Sequence, residues 1–283
     1  MGEVTKDAAA KINLFLHVKG KRQDGYHLLE SLVIFCQLGD RITVRPADEL
    51  TITVQGPFAA ALESEENIVG VAARKLLARS RQLANVEITL EKTLPVGAGI
   101  GGGSADAAAT LRALKQFYNL QISNTELSEI ALQLGADVPA CLHSKPAIMT
   151  GIGEELRFLD NLPPFALLLA NPGYHVETAA VFRALDLAAC PLRTPLDVRF
   201  SDYRSLMSRM AKTGNDLVAP AIKIAPNIAE MLKEVSAGDI NGMSGSGATC
   251  FSIFPTLKDA EMAAQDLQSR YPDWWVAATA IRL

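Results

Sequence analysis

Over residues 8–18 the chain alternates. Ala8, Ala10, Ile12, Leu14, Leu16 and Val18 fall on one face, and Lys11, Asn13, Phe15 and His17 on the other. That period of two predicts a strand with an aliphatic face and a more polar one. Gln23-Asp24-Gly25 is turn chemistry, since Gly25 tolerates positive φ, and it leads into a second strand over 28–36. Shorter strands are predicted over 41–45, 50–54 and 86–90, with helical spacing over 67–80.

Behind a glycine-rich stretch at 97–103, Ala107, Leu111, Leu114 and Tyr118 line one side of a helix that Ser104 is placed to cap. Ser123 and Glu126 have capping-box spacing before a helix over 124–134, and Gly135 ends it. Further on, 165–170 and 249–254 read as extended, and 177–185, 203–210 and 227–235 as helical. The pattern predicts an α+β protein of two lobes, divided at Asp160-Asn161-Leu162-Pro163-Pro164 into residues 1–160 and 161–283.

Composition narrows the function. With 283 residues, 49% of them hydrophobic, the chain can bury a full core. Its net charge of -4, with 27 basic residues interspersed among 31 acidic ones, offers no basic field for a nucleic-acid backbone. Cys36, Cys141, Cys190 and Cys250 are far apart and form no C-x-x-C pair, so buried, reduced thiols are expected. The opening Met1-Gly2-Glu3-Val4-Thr5-Lys6-Asp7 lacks the basic and apolar regions of a leader, and the apolar run 165–170 is far shorter than the ~20 residues that cross a bilayer. The expectation is a cytoplasmic protein with no membrane partner.

The chemistry is concentrated at Pro95-Val96-Gly97-Ala98-Gly99-Ile100-Gly101-Gly102-Gly103-Ser104-Ala105, where five glycines fall within seven residues. Glycine weakens ordinary elements but permits close backbone approach. Successive free N–H groups feeding a helix N-terminus suit a triphosphate, and Ser104 adds a hydroxyl for a phosphate or a magnesium ion. Gly97, Gly99 and Gly102 satisfy G-x-G-x-x-G, yet the stretch follows several strands and not the first, as a dinucleotide fingerprint requires. No Lys-Ser or Lys-Thr pair follows it, which excludes a Walker A loop. Asp106, near the helix start, reads as an acid complementing the helix dipole.

The whole stretch resembles the second motif of the GHMP kinase superfamily. It has the form found in the branch that phosphorylates a diphosphocytidyl polyol on the non-mevalonate route to isoprenoid precursors. Ala8-Ala9-Ala10-Lys11-Ile12-Asn13-Leu14 resembles the family's first motif, and Gly242-Met243-Ser244-Gly245-Ser246-Gly247-Ala248-Thr249-Cys250-Phe251 its third. Gly135-Ala136-Asp137-Val138-Pro139 resembles the segment that carries its catalytic aspartate. The resemblance implies an N-terminal lobe like ribosomal protein S5 domain 2 and a ferredoxin-like C-terminal lobe.

It also implies ATP and Mg2+ as cosubstrate and cofactor, and transfer of a phosphoryl group to the polyol's 2-hydroxyl. Asp137 would accept the hydroxyl proton, with Lys11 beside it keeping it ionised and neutralising the transferred group. Outside that context Asp137 reads as a helix cap and Lys11 as a solvated lysine on a strand face. Asn13 would orient the polyol, Tyr26 and His27 the cytidine, Phe182 would stack on the base, and Thr178 would share its helix face. Core packing is the plain alternative for the aromatics. The ATP site would run from Pro95 to Ala105 with Lys92 at its edge; no acidic metal ligand is identified, which leaves magnesium to phosphates and water. Homoserine or mevalonate kinase activity, a nucleotide-binding module without catalysis, and a dehydrogenase remain as alternatives.

Overall fold

The computed structural model describes residues 2–62, 67–191, 193 and 198–283. Strand β1 (Val4–Lys21) turns at Asp24 and Gly25 into strand β2 (His27–Pro46). Gly25 has φ 92° and Asp24 Oδ1 accepts from the Tyr26 amide, so the turn rests on the residues that marked it in the sequence. Strand β3 (Thr51–Gln55), helix α1 (Ile68–Ser80) and strand β4 (Val86–Glu91) precede the glycine stretch. Helices α2 (Gly102–Phe117), α3 (Asn124–Leu132) and α4 (Val138–His143) follow it. Then come β5 (Ala147–Gly151), β6 (Glu155–Phe158), β7 (Ala166–Asn171), α5 (Thr178–Arg183), α6 (Tyr203–Met210), α7 (Val218–Ile224) and α8 (Asn227–Glu234). Strands β8 (Ile240–Met243) and β9 (Cys250–Phe254), helix α9 (Leu257–Arg270) and strand β10 (Trp275–Ala280) complete the α+β chain.

Compactness groups the chain into two units that interleave in sequence. The first holds the described residues of Met1–Ala10, Gly39–Val96 and Gly101–Ser144, and the second those of Lys11–Leu38, Gly97–Ile100 and Lys145–Leu283. In the first unit β3 runs parallel to β4, with Ile52 opposite Ile88, and β4 pairs antiparallel with the C-terminal half of β2. Helices α1, α2, α3 and α4 pack on one another. Ala107, Leu111 and Leu114 of α2 are fully buried, as the expected stripe requires, whereas Tyr118, the fourth residue expected on it, is half-buried at the C-terminal cap just past the helix. The Asn67 carboxamide caps α1, and Ser123 and Glu126 form the predicted capping box on α3.

In the second unit the N-terminal half of β2 pairs with β5, and β5 with β6. A separate antiparallel sheet has the order β10-β7-β9-β8. Every residue of β7 is buried, and Leu168, Ala170, Cys250 and Phe254 share a core with Ile228 and Met231 of α8 and Ala260 and Leu267 of α9. A run as uniformly apolar as 165–170 belongs in the middle of a covered sheet.

Two expectations change. Residues 28–36 and 41–45 belong to one strand, because Gly39 is no break: a Cβ there would collide with the Ala8 carbonyl oxygen. The polar face of β1 is not solvated either; Lys11, Asn13 and His17 are 3%, 1% and 4% exposed. The cysteines carry no disulfide, and Cys190 is half-buried where burial was expected. Among the described residues no helix is long and apolar enough to cross a membrane.

Candidate active site

The glycine stretch folds as a loop of alternating handedness. Gly97, Gly99 and Gly101 have φ of 65°, 74° and 65°, a left-handed conformation that L side chains resist. Gly101 occupies the cap position of α2 and Gly102 begins it, so Ser104 lies within the first turn and is not the expected cap. Amides arranged this way form a concavity for anions at a helix start. Pro95, Val96 and residues 101–105 count with the first unit, and Gly97, Ala98, Gly99 and Ile100 with the second.

Within the second unit three sequence motifs meet through the backbone. The Ser244 hydroxyl donates to the Gly99 carbonyl at 2.9 Å and accepts the Asn13 amide at 3.1 Å. The Lys11 amide donates to Ile100 O at 2.9 Å and the Thr249 amide to Ala98 O at 3.1 Å. Ser244 is therefore the hub that joins β1, the glycine loop and the third glycine motif. Its place in that motif was visible in the sequence, but its partners were not. His175 is a second residue that sequence reading missed: its ring lies against Gly97, and a Cβ at that position would collide with it.

The residues of this unit expected to meet the substrate fall into two groups. Asn13 donates to the Ser31 hydroxyl at 2.8 Å, while its Oδ1 is buried without a hydrogen-bond partner. Native structures rarely leave such an atom unpaired unless a ligand or water completes it. The second group pairs Thr178, at the start of α5, with the Ser246 hydroxyl at 2.8 Å, and stacks Phe182 on His27 at 4.9 Å between centroids and 24° between planes. Phe182 thus meets an imidazole on one ring face, and Tyr26, which precedes His27 in sequence, is 58% exposed. Burial, with Lys21 adding, holds His27 below the usual imidazole range, so its ring is neutral around pH 7.

In the first unit Asp137 stands at the cap position of α4, but its backbone is helical and its carboxylate makes no capping bond. The plain cap reading therefore loses its physical basis. Lys92, expected at the edge of the site, is buried beside Gly102: its ammonium is 2.5 Å from Asp40 Oδ2 and 2.7 Å from Asp106 Oδ2, and all three side chains are at most 2% exposed. Burial pulls the Lys92 ammonium down, yet the two carboxylates more than reverse this and leave it raised, hence charged. Asp106 is accordingly a buried ion-pair partner and not a surface acid answering the helix dipole. Among the described residues no cluster of three or more His, Cys, Asp or Glu could hold a metal, and Asp40 and Asp106 are occupied by Lys92. These residues do not fit a protein cage for magnesium.

The sequence matches the profile of the GHMP kinases N terminal domain over residues 67–145 and of the GHMP kinases C terminal domain over 198–273, together more than half of the chain. The chain belongs to the GHMP kinases. This GHMP kinase is 49% identical to a 4-diphosphocytidyl-2-C-methyl-D-erythritol kinase of Parvibaculum lavamentivorans, over 99% of its own length and 98% of the relative's. A relative of the same name from Mesorhizobium japonicum is 45% identical, over 99% and 96%. A crystal structure of 4-(cytidine 5'-diphospho)-2C-methyl-D-erythritol kinase superposes with a TM-score of 0.82 at 33% identity, covering 98% of each chain. Homoserine kinase from Cytophaga hutchinsonii reaches 0.68 at 16% identity, covering 99% and 95%, a likeness of fold alone. As a GHMP kinase the chain uses ATP as phosphoryl donor.

Proposed function

We propose that this kinase transfers the γ-phosphoryl group of ATP to the 2-hydroxyl of 4-diphosphocytidyl-2-C-methyl-D-erythritol, giving the 2-phosphate and ADP. The observation that carries the reading is full-length identity of 45–49% to proteins bearing that kinase's name. The pairing of His27 with Phe182 supports an aromatic grip on a cytosine, and the orphaned Asn13 Oδ1 supports a polar contact with the polyol.

In this mechanism the polyol oxygen attacks the γ-phosphorus in line, the bond to the β,γ-bridging oxygen breaks, and ADP leaves. Asp137 takes the hydroxyl proton; the acceptor need not be strong, because the phosphorus is attacked late and loosely. Lys11 neutralises charge on the transferred group. Its burial in β1 is expensive for a lysine with only a packing role, which supports an electrostatic one. The loop from Pro95 to Ala105 holds the triphosphate through the backbone N–H groups that follow Pro95, which itself has none to give, with Ser104 adding a hydroxyl. Tyr26 and His27 orient the cytidine, Phe182 packs against it, and Thr178 binds a polar part of the substrate. Any magnesium would come with ATP and be held by phosphates and water, supplying charge neutralisation without an assigned protein ligand.

The same proposal covers location and organisation. The enzyme works in the cytoplasm on small molecules, with residues 1–160 as the ATP-binding and catalytic domain and 161–283 as the substrate-binding domain. The two family matches fall on either side of that division. ADP release measured with the diphosphocytidyl polyol, homoserine and mevalonate offered separately tests the reading. Turnover with the first alone is expected. Turnover with homoserine and none with the polyol would refute the substrate and leave the fold standing.

A further inference from the structure

Lys92 lies just before the glycine loop and Asp106 just after it, so their ion pair at 2.7 Å closes the loop's two ends across fourteen residues of sequence. Asp40 of β2 holds the same ammonium from another side at 2.5 Å. A Cβ on Gly102, the first residue of α2, would stand 3.2 Å from the Lys92 nitrogen and 3.9 Å from Asp40 Oδ2. The charge of this cluster therefore sits beside the start of α2, whose free amides the proposed function gives to a phosphate.

The two carboxylates are not equivalent. Asp40 Oδ1 accepts from the Thr93 amide at 2.6 Å, the Leu94 amide at 2.8 Å and the Thr93 hydroxyl at 3.4 Å. Asp106 Oδ1 is buried with no hydrogen-bond partner. Two carboxylates and one ammonium leave a surplus negative charge out of water, which desolvation penalises. Protonation of the carboxyl that lacks donors removes it at least cost. In agreement with this, burial pushes Asp106 up to about 7, against the pull of Lys92 and with Asp40 adding to the rise; these are the charged groups that face it.

We propose that Asp106 is a positioning residue of the phosphate loop, acting through Lys92, and that the Asp40–Lys92–Asp106 cluster takes up a proton when a nucleoside triphosphate docks. This rests on the nucleotide reading of the loop. An ionised Asp106 opposes the arriving anion and a protonated one does not, so the ligand draws a proton from solvent onto Asp106 Oδ1, and no bond of the nucleotide changes. By reciprocity the same coupling weakens ATP binding as the pH rises through neutrality.

Calorimetric titration of ATP into the wild type and Asp106→Asn, at pH 7 in buffers of different ionisation enthalpy, counts the protons. The nucleotide's own protons are common to both proteins and cancel in the difference. The wild type should take up several tenths of a proton more per ATP than Asp106→Asn, whose affinity should be no weaker and should change less between about pH 6 and 8.5. Asp106→Ala, which deprives Lys92 of its partner across the loop, should weaken ATP at least about tenfold, and the Asn variant should restore the affinity. Equal proton counts in the wild type and Asp106→Asn overturn the coupling. A folded Asp106→Ala that binds ATP as the wild type does overturns the positioning role; if that variant does not fold, the proton count alone decides. A wild type that binds no ATP at all refutes the nucleotide reading itself, an outcome distinct from these.

Discussion

Replacing Gly99 and Gly103 separately by Ala distinguishes two reasons for a glycine in this loop. A Cβ at Gly99 would lie 2.6 Å from the carbonyl oxygens of both Gly247 and Ser244 and 2.9 Å from the Gly247 amide, on a backbone of φ +74°. The left-handed conformation costs an alanine ~1–2 kcal/mol. Forcing a methyl into packed backbone, which cannot swing away as a side-chain end can, adds ~1–3 kcal/mol. Gly99→Ala should therefore lose roughly 2–5 kcal/mol of stability. At Gly103 the nearest atom is Ile68 Cγ2 at 3.9 Å and the backbone is helical, so alanine should be neutral or stabilising by up to ~1 kcal/mol. Urea unfolding measures both, and ATP calorimetry on the folded variants shows whether Gly103→Ala weakens the nucleotide at unchanged stability, as phosphate approach requires. Gly99→Ala as stable as the wild type would refute the docking of the loop on residues 244–247.

Three further outcomes follow from the same geometry. Asp137→Asn should keep ATP affinity and lose most of its turnover; wild-type turnover at saturating substrates would return Asp137 to a structural role. Phe182→Ala removes the stack on His27 and should raise KM for the cytidyl substrate by about one power of ten, stacking being worth ~1–3 kcal/mol, while KM for ATP stays put; equal losses on both substrates would mark Phe182 as packing. Burial, with Arg193 adding, holds the His17 imidazole down at about 4 from its ordinary 6.5. The unfolded chain takes the proton first, so this contribution to stability is present above about pH 6.5 and is lost as the pH falls towards 4, by ~3 kcal/mol at most. Asp106 acts in the opposite sense over much of that window, so urea melts at pH 7 and 4.5 must compare His17→Phe with the wild type; an unchanged slope would mean that His17 charges freely in the fold.

The strands and helices with a strong period were legible, and so were their caps. The capping box at Ser123 and Glu126 and the turn at Gly25 depend on contacts within a few residues, which sequence alone can carry. Helix α9 escaped notice although it is long, because only Ala260 and Leu267 are buried on it and charges surround them. The edge strands β6 and β8 are short and partly exposed, with no period to read. In the candidate site, sequence could nominate residues but not their partners: Ser31, Ser244, Ser246 and Asp40 are common residue types whose meaning comes from being brought beside Asn13, Gly99, Thr178 and Lys92.

The glycine loop shows why motif and mechanism must be argued residue by residue. Read as a string, its five glycines all serve close approach of phosphate. In the structure Gly99 is required by the third glycine motif, Gly102 stands beside the Lys92 ammonium, and Gly97 makes way for the His175 ring. Among Gly97, Gly99, Gly102 and Gly103, Gly103 alone faces nothing nearer than ordinary contact, so of these four its absent side chain is the one that a ligand would explain. The positive φ values at Gly97, Gly99 and Gly101 serve the loop's own path, which must alternate in handedness to present its amides. A motif of this kind persists only if both demands hold at once, so a substitution that harms ATP binding here is informative about phosphate contact only after stability has been measured on the same variant.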